Sequence, residues 1–220
     1  PAGDFCIDLY EASPGRKCEY ASIDSQFQTR DNMDYRDCLP VSTAGQRPWV
    51  YVNKSQAQAL CARAGKRLPT AAEWYYAALG TPDLEDGWRE QDCQVSKNWE
   101  EQPGLTGSGS ECLSGAGAYD MIGNVWEWVN ETAVDGQFSG YKLPAQGYVA
   151  AVDGDGKPLE TSSQPLPEME NDHLWLKQSG SRQIARGGYF DNADQAGVNA
   201  WYVVNEGTFA GVGVGFRCVK

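Results

Sequence analysis

The apolar positions of this chain change period along its length, and each change marks an element. In 55–64, Ala57, Leu60, Cys61 and Ala64 recur at the spacing of one helix face, and Gly65 supplies the stop. Thr70 opens a second helix, because Glu73 stands three residues on and can complete a capping box. Trp74, Ala77 and Ala78 form its apolar stripe, and Gly80 and Pro82 end it. The period shortens to two in 4–11, D-F-C-I-D-L-Y-E, which predicts a strand. It is two again in 119–130, Y-D-M-I-G-N-V-W-E-W-V-N. There Trp126 and Trp128 take one face of a strand, Val125, Glu127 and Val129 the other, and Gly123-Asn124 form the turn that feeds it.

Between these elements the pattern lapses. Residues 12–48 carry Pro14, Gly15, Pro40, Gly45 and Pro48 and read as an irregular excursion open to disulfide bracing. The stretches 81–118 and 131–182 read as long irregular segments. D-G-D-G-K (153–157) begins like an EF-hand loop, but Lys157 stands where the third acidic ligand belongs and Gln164 at the twelfth place, so a hairpin turn is expected. G-L-T-G-S-G-S (104–110) lacks the lysine and helix of a phosphate cradle. Two glycosylation sequons occur, Asn53-Lys54-Ser55 and Asn130-Glu131-Thr132, the first equally a helix start. Gly211, Gly213 and Gly215 alternate, which leaves one strand face bare for close packing.

Composition narrows the function classes. A net charge of −12 over 220 residues argues against nucleic-acid binding, which needs basic patches. No apolar run approaches a membrane span. With 8 Trp, 11 Tyr and 25 Gly, the profile is that of a loop-rich fold pinned by large side chains. Cysteines stand at 6, 18, 38, 61, 93, 112 and 218 without a C-x-x-C, and the single histidine, His173, reads as a surface-loop residue, so zinc and haem motifs are missing. Such cysteines point to disulfides in an oxidising compartment, outside the cell or on a cell or virion surface. Cys93 and Cys112 could pair locally, and the odd count leaves at least one thiol, such as Cys6, free or shared between chains.

Four motifs in order, R-L-P-T-A-A-E-W (67–74), G-N-V-W-E-W (123–128), R-G-G (186–188) and G-F-R-C-V (215–219), resemble the sulfatase-modifying-factor family. This is the formylglycine-generating-enzyme branch of the C-type lectin fold, and the resemblance spans about two-thirds of the chain, from Leu60 to the end. It implies a single α+β domain over 1–220, with two helices, small antiparallel sheets and long irregular loops. It also implies a first strand lying beside the last one and a Cys61–Cys218 disulfide. A structural calcium is implied too, held by side-chain oxygens of Asp120 and Glu127 and carbonyls of Gly123 and Val125. The residues by themselves offer two carboxylates and turn carbonyls within eight positions, as a calcium loop does.

The chemistry known for that scaffold is not matched. Formylglycine-generating enzymes hold copper with two cysteines between the motifs matching R-G-G and G-F-R-C, and this chain has no cysteine from 113 to 217. The related sulfoxide synthases use an iron held by histidines, which one histidine cannot supply. What stands there is rich in Tyr, Trp, Phe, Asn, Asp and Gly, the palette of antigen-binding loops. A second branch of the superfamily, the variable proteins of diversity-generating retroelements, varies scattered positions between an R-G-G-like start and the G-F-R end. The expected function is therefore non-catalytic binding of a protein ligand through a diversified segment near 186–214. The candidate contacts are Tyr189, Asp191, Asn192, Asn199, Trp201, Tyr202, Asn205, Glu206 and Phe209 on one exposed surface, above a buried layer of Ile184, Phe216, Trp126 and Trp128. The alternatives are an undiversified binding domain of a surface protein and, disfavoured by the missing cysteines, a formylglycine-type oxidase. Arg186 and Arg217 are expected to pair with acidic groups.

Overall fold

The computed structural model describes residues 4–84, 86–98 and 102–220. Two of its helices follow from the pattern. For α2 (Lys54–Arg63), the Asn53 side chain accepts from Gln56 N while Gln56 accepts from Asn53 N, a closed capping box. For α3 (Ala71–Ala78), Thr70 and Glu73 do the same, and Arg67 grips both Glu73 oxygens at 2.6 Å. Ala57, Leu60 and Cys61 of the first, and Trp74, Ala77 and Ala78 of the second, are buried as their spacing predicts.

The excursion 12–48 contains an unexpected helix, α1 (Gln26–Asp34), and a short hairpin of β1 (Ala12–Pro14) with β2 (Pro40–Ser42). The helix Q-F-Q-T-R-D-N-M-D has no apolar stripe, and its buried residues are Thr29 and Asn32. Polar contacts hold it instead. The Asn32 side chain bonds both N and O of Tyr20, Thr29 accepts from the Trp49 indole at 3.1 Å, and the Cys18–Cys38 disulfide brackets the segment.

A nine-stranded sheet organises the remainder. Its strands are β3 (Trp126–Val134), β4 (Gln137–Phe138), β5 (Tyr141–Lys142), β6 (Gly147–Val152), β7 (Pro158–Ser162), β8 (His173–Leu176), β9 (Ser181–Arg186), β10 (Trp201–Val203) and β11 (Val214–Gly215). The order is β5-β4-β3-β9-β10-β8-β6-β7, with β11 beside β3, and only β10–β8 and β11–β3 run parallel. Five of these strands fall where the sequence shows no sustained period, because most are too short to display one. The expected hairpin turn at 153–157 joins β6 to β7, and its Asp153 carboxylate accepts the N–H groups of Asp155 and Lys157.

Alternation along β3 divides the core. Trp126 and Trp128 pack with Trp49, Leu60 and Phe216, while Val129 packs with Trp74, Ile184 and Trp201. Residues 4–11 do run beside the end of the chain, but as isolated pairing instead of a regular strand. Cys6 and Lys220 exchange two backbone hydrogen bonds of 2.9 Å, and Asp8 N donates to Cys218 O. Val219 is shared there with Arg67, whose backbone it also meets. Cys61–Cys218 closes a loop of 157 residues, Cys93–Cys112 braces the segment before β3, and Cys6 is an exposed thiol. In the chain-entropy account a loop as long as that of Cys61–Cys218 contributes about 5 kcal/mol of stability. The architecture is α+β, of the C-type lectin fold.

Candidate functional site

Register places an aromatic row on one face of the sheet. Trp128 of β3 stands opposite Ala185 of β9, Ala185 opposite Tyr202 of β10, and Tyr202 beside Trp175 of β8. Lateral neighbours in a sheet share a face, so the three rings line up with the small Ala185 as a dip between them. Trp126, two residues before Trp128, joins the row, with its ring 5.4 Å from Trp175 edge-on and 5.4 Å from Tyr202. Above this floor, two parts of the chain, around Tyr189–Asn192 and Phe209–Val214, form a wall. Tyr189, Asn192, Phe209 and residues 211–214 complete a cleft of about 510 Å³. Phe209, 39% exposed, meets Trp128 edge-on at 6.5 Å. Gly213 is required for the wall to close, since a Cβ there would lie 2.5 Å from the Tyr189 ring. Tyr189 is fixed from its other side by Asn192, which accepts its N–H and donates its own to Tyr189 O. Burial pushes the Tyr189 and Tyr202 phenols above their ordinary pKa, so both are neutral hydrogen-bonding groups at pH 7.

Of the nine candidate contacts, Tyr189, Asn192, Tyr202 and Phe209 line the cleft. Asp191 is exposed and pairs with Lys97 at 3.0 Å, and exposed Glu206 pairs with Arg182 at 2.9 Å. Asn199 and Asn205 are part-buried and lie outside the cleft lining. Trp201 is not on the exposed surface: it is fully buried. Its register partners are Arg186 and Leu174, on the opposite sheet face from Tyr202, and its indole donates to Gly156 O. Ile184 and Phe216 are buried, and Trp126 and Trp128 are buried yet form the floor. Trp175 escaped the sequence reading, although the alternation of H-L-W-L signals it. His173 belongs to β8 and is buried between Tyr148 and Trp175, not in a surface loop, and burial lowers its pKa.

On the opposite face the motif residues form a buried charge network. Both Glu127 oxygens accept from Arg217 Nε at 2.8 Å, and the Trp74 indole donates to Oε2 at 2.7 Å. Asp120 Oδ2 accepts from Gly107 N at 2.6 Å, and Glu11 accepts from Asn124 and from Val125 N. Burial, with Asp120 and Glu127 nearby, pushes the Glu11 carboxyl well above the usual range, and burial holds Asp120 at about 7. The calcium set of Asp120, Gly123, Val125 and Glu127 does not fit this arrangement, because Glu127 is fully committed to Arg217 and Trp74. Among the described residues, no group of three His, Cys, Asp or Glu side chains is disposed to hold a metal. Arg217 thus pairs with an acid as expected. Arg186 does not: it donates to the carbonyls of Ala71, Val198 and Ala200 and lies between the rings of Trp74 and Trp201, at 4.8 and 4.3 Å.

The sulfatase-modifying factor enzyme 1-like domain matches residues 16–220. The formylglycine-generating enzyme of Mycobacterium tuberculosis is 35% identical over 108 residues, covering 42% of this chain and 36% of its own length. The inactive C-alpha-formylglycine-generating enzyme 2 of Mus musculus is 26% identical over 151 residues, covering 61% of this chain and 49% of its own. The chain therefore spans about half, or less, of the length of these curated relatives. Among solved structures, the Major Tropism Determinant I1 variant superposes with a TM-score of 0.52 at 16% identity, over 99% of this chain and 50% of that one. The M1 variant gives a TM-score of 0.50 at 16% identity over the same shares. These neighbours are variable proteins of diversity-generating retroelements, and the likeness is one of fold. With its motifs, helices and sheet inside the matched span, the chain belongs to the sulfatase-modifying factor enzyme 1-like domain family.

Proposed function

We propose that this chain is a non-catalytic ligand-binding protein, a retroelement-diversified receptor that takes a protein partner in its aromatic cleft, outside the cytoplasm. The observation that carries this reading is the division of the cleft. Of its floor rings, Trp126, Trp128 and Trp175 come from β3 and β8, whereas the floor ring Tyr202 and the wall residues Tyr189, Asn192 and Phe209 come from the segment between R-G-G and G-F-R-C. Substitutions in that segment change what the cleft accepts while the three floor tryptophans stay the same. Aromatic and small polar walls suit protein recognition, because rigid rings give contact area at low entropic cost. The missing thiolates in 113–217 and the three disulfides support binding over oxidase chemistry and an oxidising location.

The test of diversification needs only DNA. A near-copy of the codons for 186–214 should lie close to the gene, differing from it only at adenines of the copy. Its absence would leave an undiversified binding domain. At the protein level, changing Tyr189, Asn192, Tyr202 and Phe209 together to Ala should cost less than about 3 kcal/mol of stability in urea unfolding, since variable positions must not carry the fold. A larger loss would assign the wall to the core and remove the proposal.

A further inference from the structure

Among the described residues that line the cleft there is neither an acid nor a base, and the side chains that dominate it are aromatic: Trp126, Trp128, Trp175, Tyr189, Tyr202 and Phe209. Their rings stand at steep angles instead of forming a flat platform. Trp126 meets Trp175 at 86° and Tyr202 at 35°, Trp175 meets Tyr202 at 51°, and Phe209 meets Trp128 at 82°. A guest on the floor therefore touches ring surfaces in more than one orientation. Ring faces carry the negative side of the aromatic quadrupole, so such a surface holds an apolar side chain or a cation and disfavours an anion.

The charge around the cleft decides between the two. The chain carries 30 acidic residues against 18 basic ones. The wall itself brings acid to the rim. Asp191 adjoins Asn192 and its charge acts on Tyr189, while the Glu206 carbonyl accepts the Phe209 N–H. The bases beside them, Lys97 and Arg182, are paired to these two carboxylates and do not line the cleft, so no resident cation occupies it. The other face of the same sheet already holds such a guest, since Arg186 lies between Trp74 and Trp201. Of the cationic side chains, arginine suits the cleft best. The lysine ammonium is strongly hydrated, and the cleft lining has no carboxylate to replace that water. A guanidinium is weakly hydrated, lies flat on a ring, and keeps its edge N–H groups free for phenol oxygens or water. We propose that the cleft is an arginine pocket, into which the partner inserts an arginine side chain whose guanidinium stacks on Trp126, Trp175 and Tyr202. This rests on the cleft being the binding site, and adds the chemistry of what enters it.

The experiment titrates the full chain at neutral pH and low salt, followed by tryptophan fluorescence and calorimetry. The probes are four blocked tripeptides, acetyl-Gly-X-Gly-amide, in which X is arginine, citrulline, lysine or norleucine. The arginine peptide should bind, and citrulline, which keeps the shape but loses the charge, should bind about tenfold more weakly. Trp175→Leu should weaken the arginine peptide, and if that variant does not fold the half-buried Tyr202→Leu carries the test. Phe27→Leu, an exposed ring on α1 outside the cleft, should change nothing. Equal binding of the arginine and citrulline peptides overturns the proposal, because the charge is then not recognised. Norleucine binding as tightly as arginine overturns it in favour of an apolar guest, and lysine binding more tightly overturns it in favour of an ammonium. No binding of any peptide overturns it as well. None of these results bears on the DNA test of diversification, whose template copy is present or absent whichever peptide binds.

Discussion

Arg217 and Arg186 are both completely buried, and both flank Glu127, the first as its ion partner and the second as its cross-strand neighbour in the sheet. Their charges are nevertheless met by different means. For Arg217, burial acts to lower the pKa, but the attraction of Glu127 outweighs it and the guanidinium is held above its ordinary value. For Arg186, burial wins and the pKa falls to about 9, with Asp172 offsetting only part of the effect. Its planar head is spread over three carbonyls and two indole faces, work that a point charge such as lysine cannot copy. The two arginines therefore secure different things. Arg217 neutralises a motif carboxylate, while Arg186 holds a path of backbone: the carbonyls of Val198 and Ala200 go to Arg186, and the N–H groups of Val198 and Asn199 go to Asp83 and Asp172. The approach to β10 is gripped from both sides of its peptide planes.

The contrast can be broken at either end. Arg217→Met strands a buried carboxylate and should cost about 3–5 kcal/mol in urea unfolding. Adding Glu127→Gln should recover much of that loss, and a double variant no better than the single one would show that the pair is not the source. Arg186→Lys should cost less, about 2 kcal/mol, because the site loses hydrogen-bond geometry and not a counter-charge. Its signature is local, namely faster amide exchange in 198–203. Equal costs for the two arginines, with no local change at β10, would erase the distinction.

A smaller effect separates the carboxylates beside them. Asp120 near Arg217 and Asp172 near Arg186 are each held at about 7, above the ordinary aspartate value. A raised folded pKa means that the native state binds more protons than the unfolded one between the ordinary range and about 7. The protein should therefore lose stability as pH rises from about 5 to 8. Asp172→Asn and Asp120→Asn should each flatten part of that slope, and a stability rising across the window would refute the assignment of both.

Sequence pattern reached the elements whose determinants are local. The capping residues Thr70 and Glu73, and the alternation around Trp126 and Trp128, each act within a few positions. The α1 helix was hidden because Thr29 and Asn32 secure it through polar contacts that leave no apolar period. Within the cleft, W-Y-V shows the alternation of β10 but not which face is wet. Only pairing with Arg186 and Leu174 turns Trp201 inward and leaves Tyr202 in the cleft. Trp175 and the hold of Asp83 and Asp172 on 198–199 depend on strand order and loop docking, which one-dimensional spacing does not encode.

The reciprocal hydrogen bonds between Cys6 and Lys220 give the fold a further property. Residues that exchange both bonds in an antiparallel pair sit about 5.5 Å apart, so the polypeptide enters and leaves at one doorway. A unit with a single doorway can be spliced into a surface loop of a host protein without prising the loop open. It can equally be rewired, with Cys6 and Lys220 linked through a short glycine bridge and the chain opened elsewhere, the Cys61–Cys218 bond still stapling α2 to the stretch before Lys220.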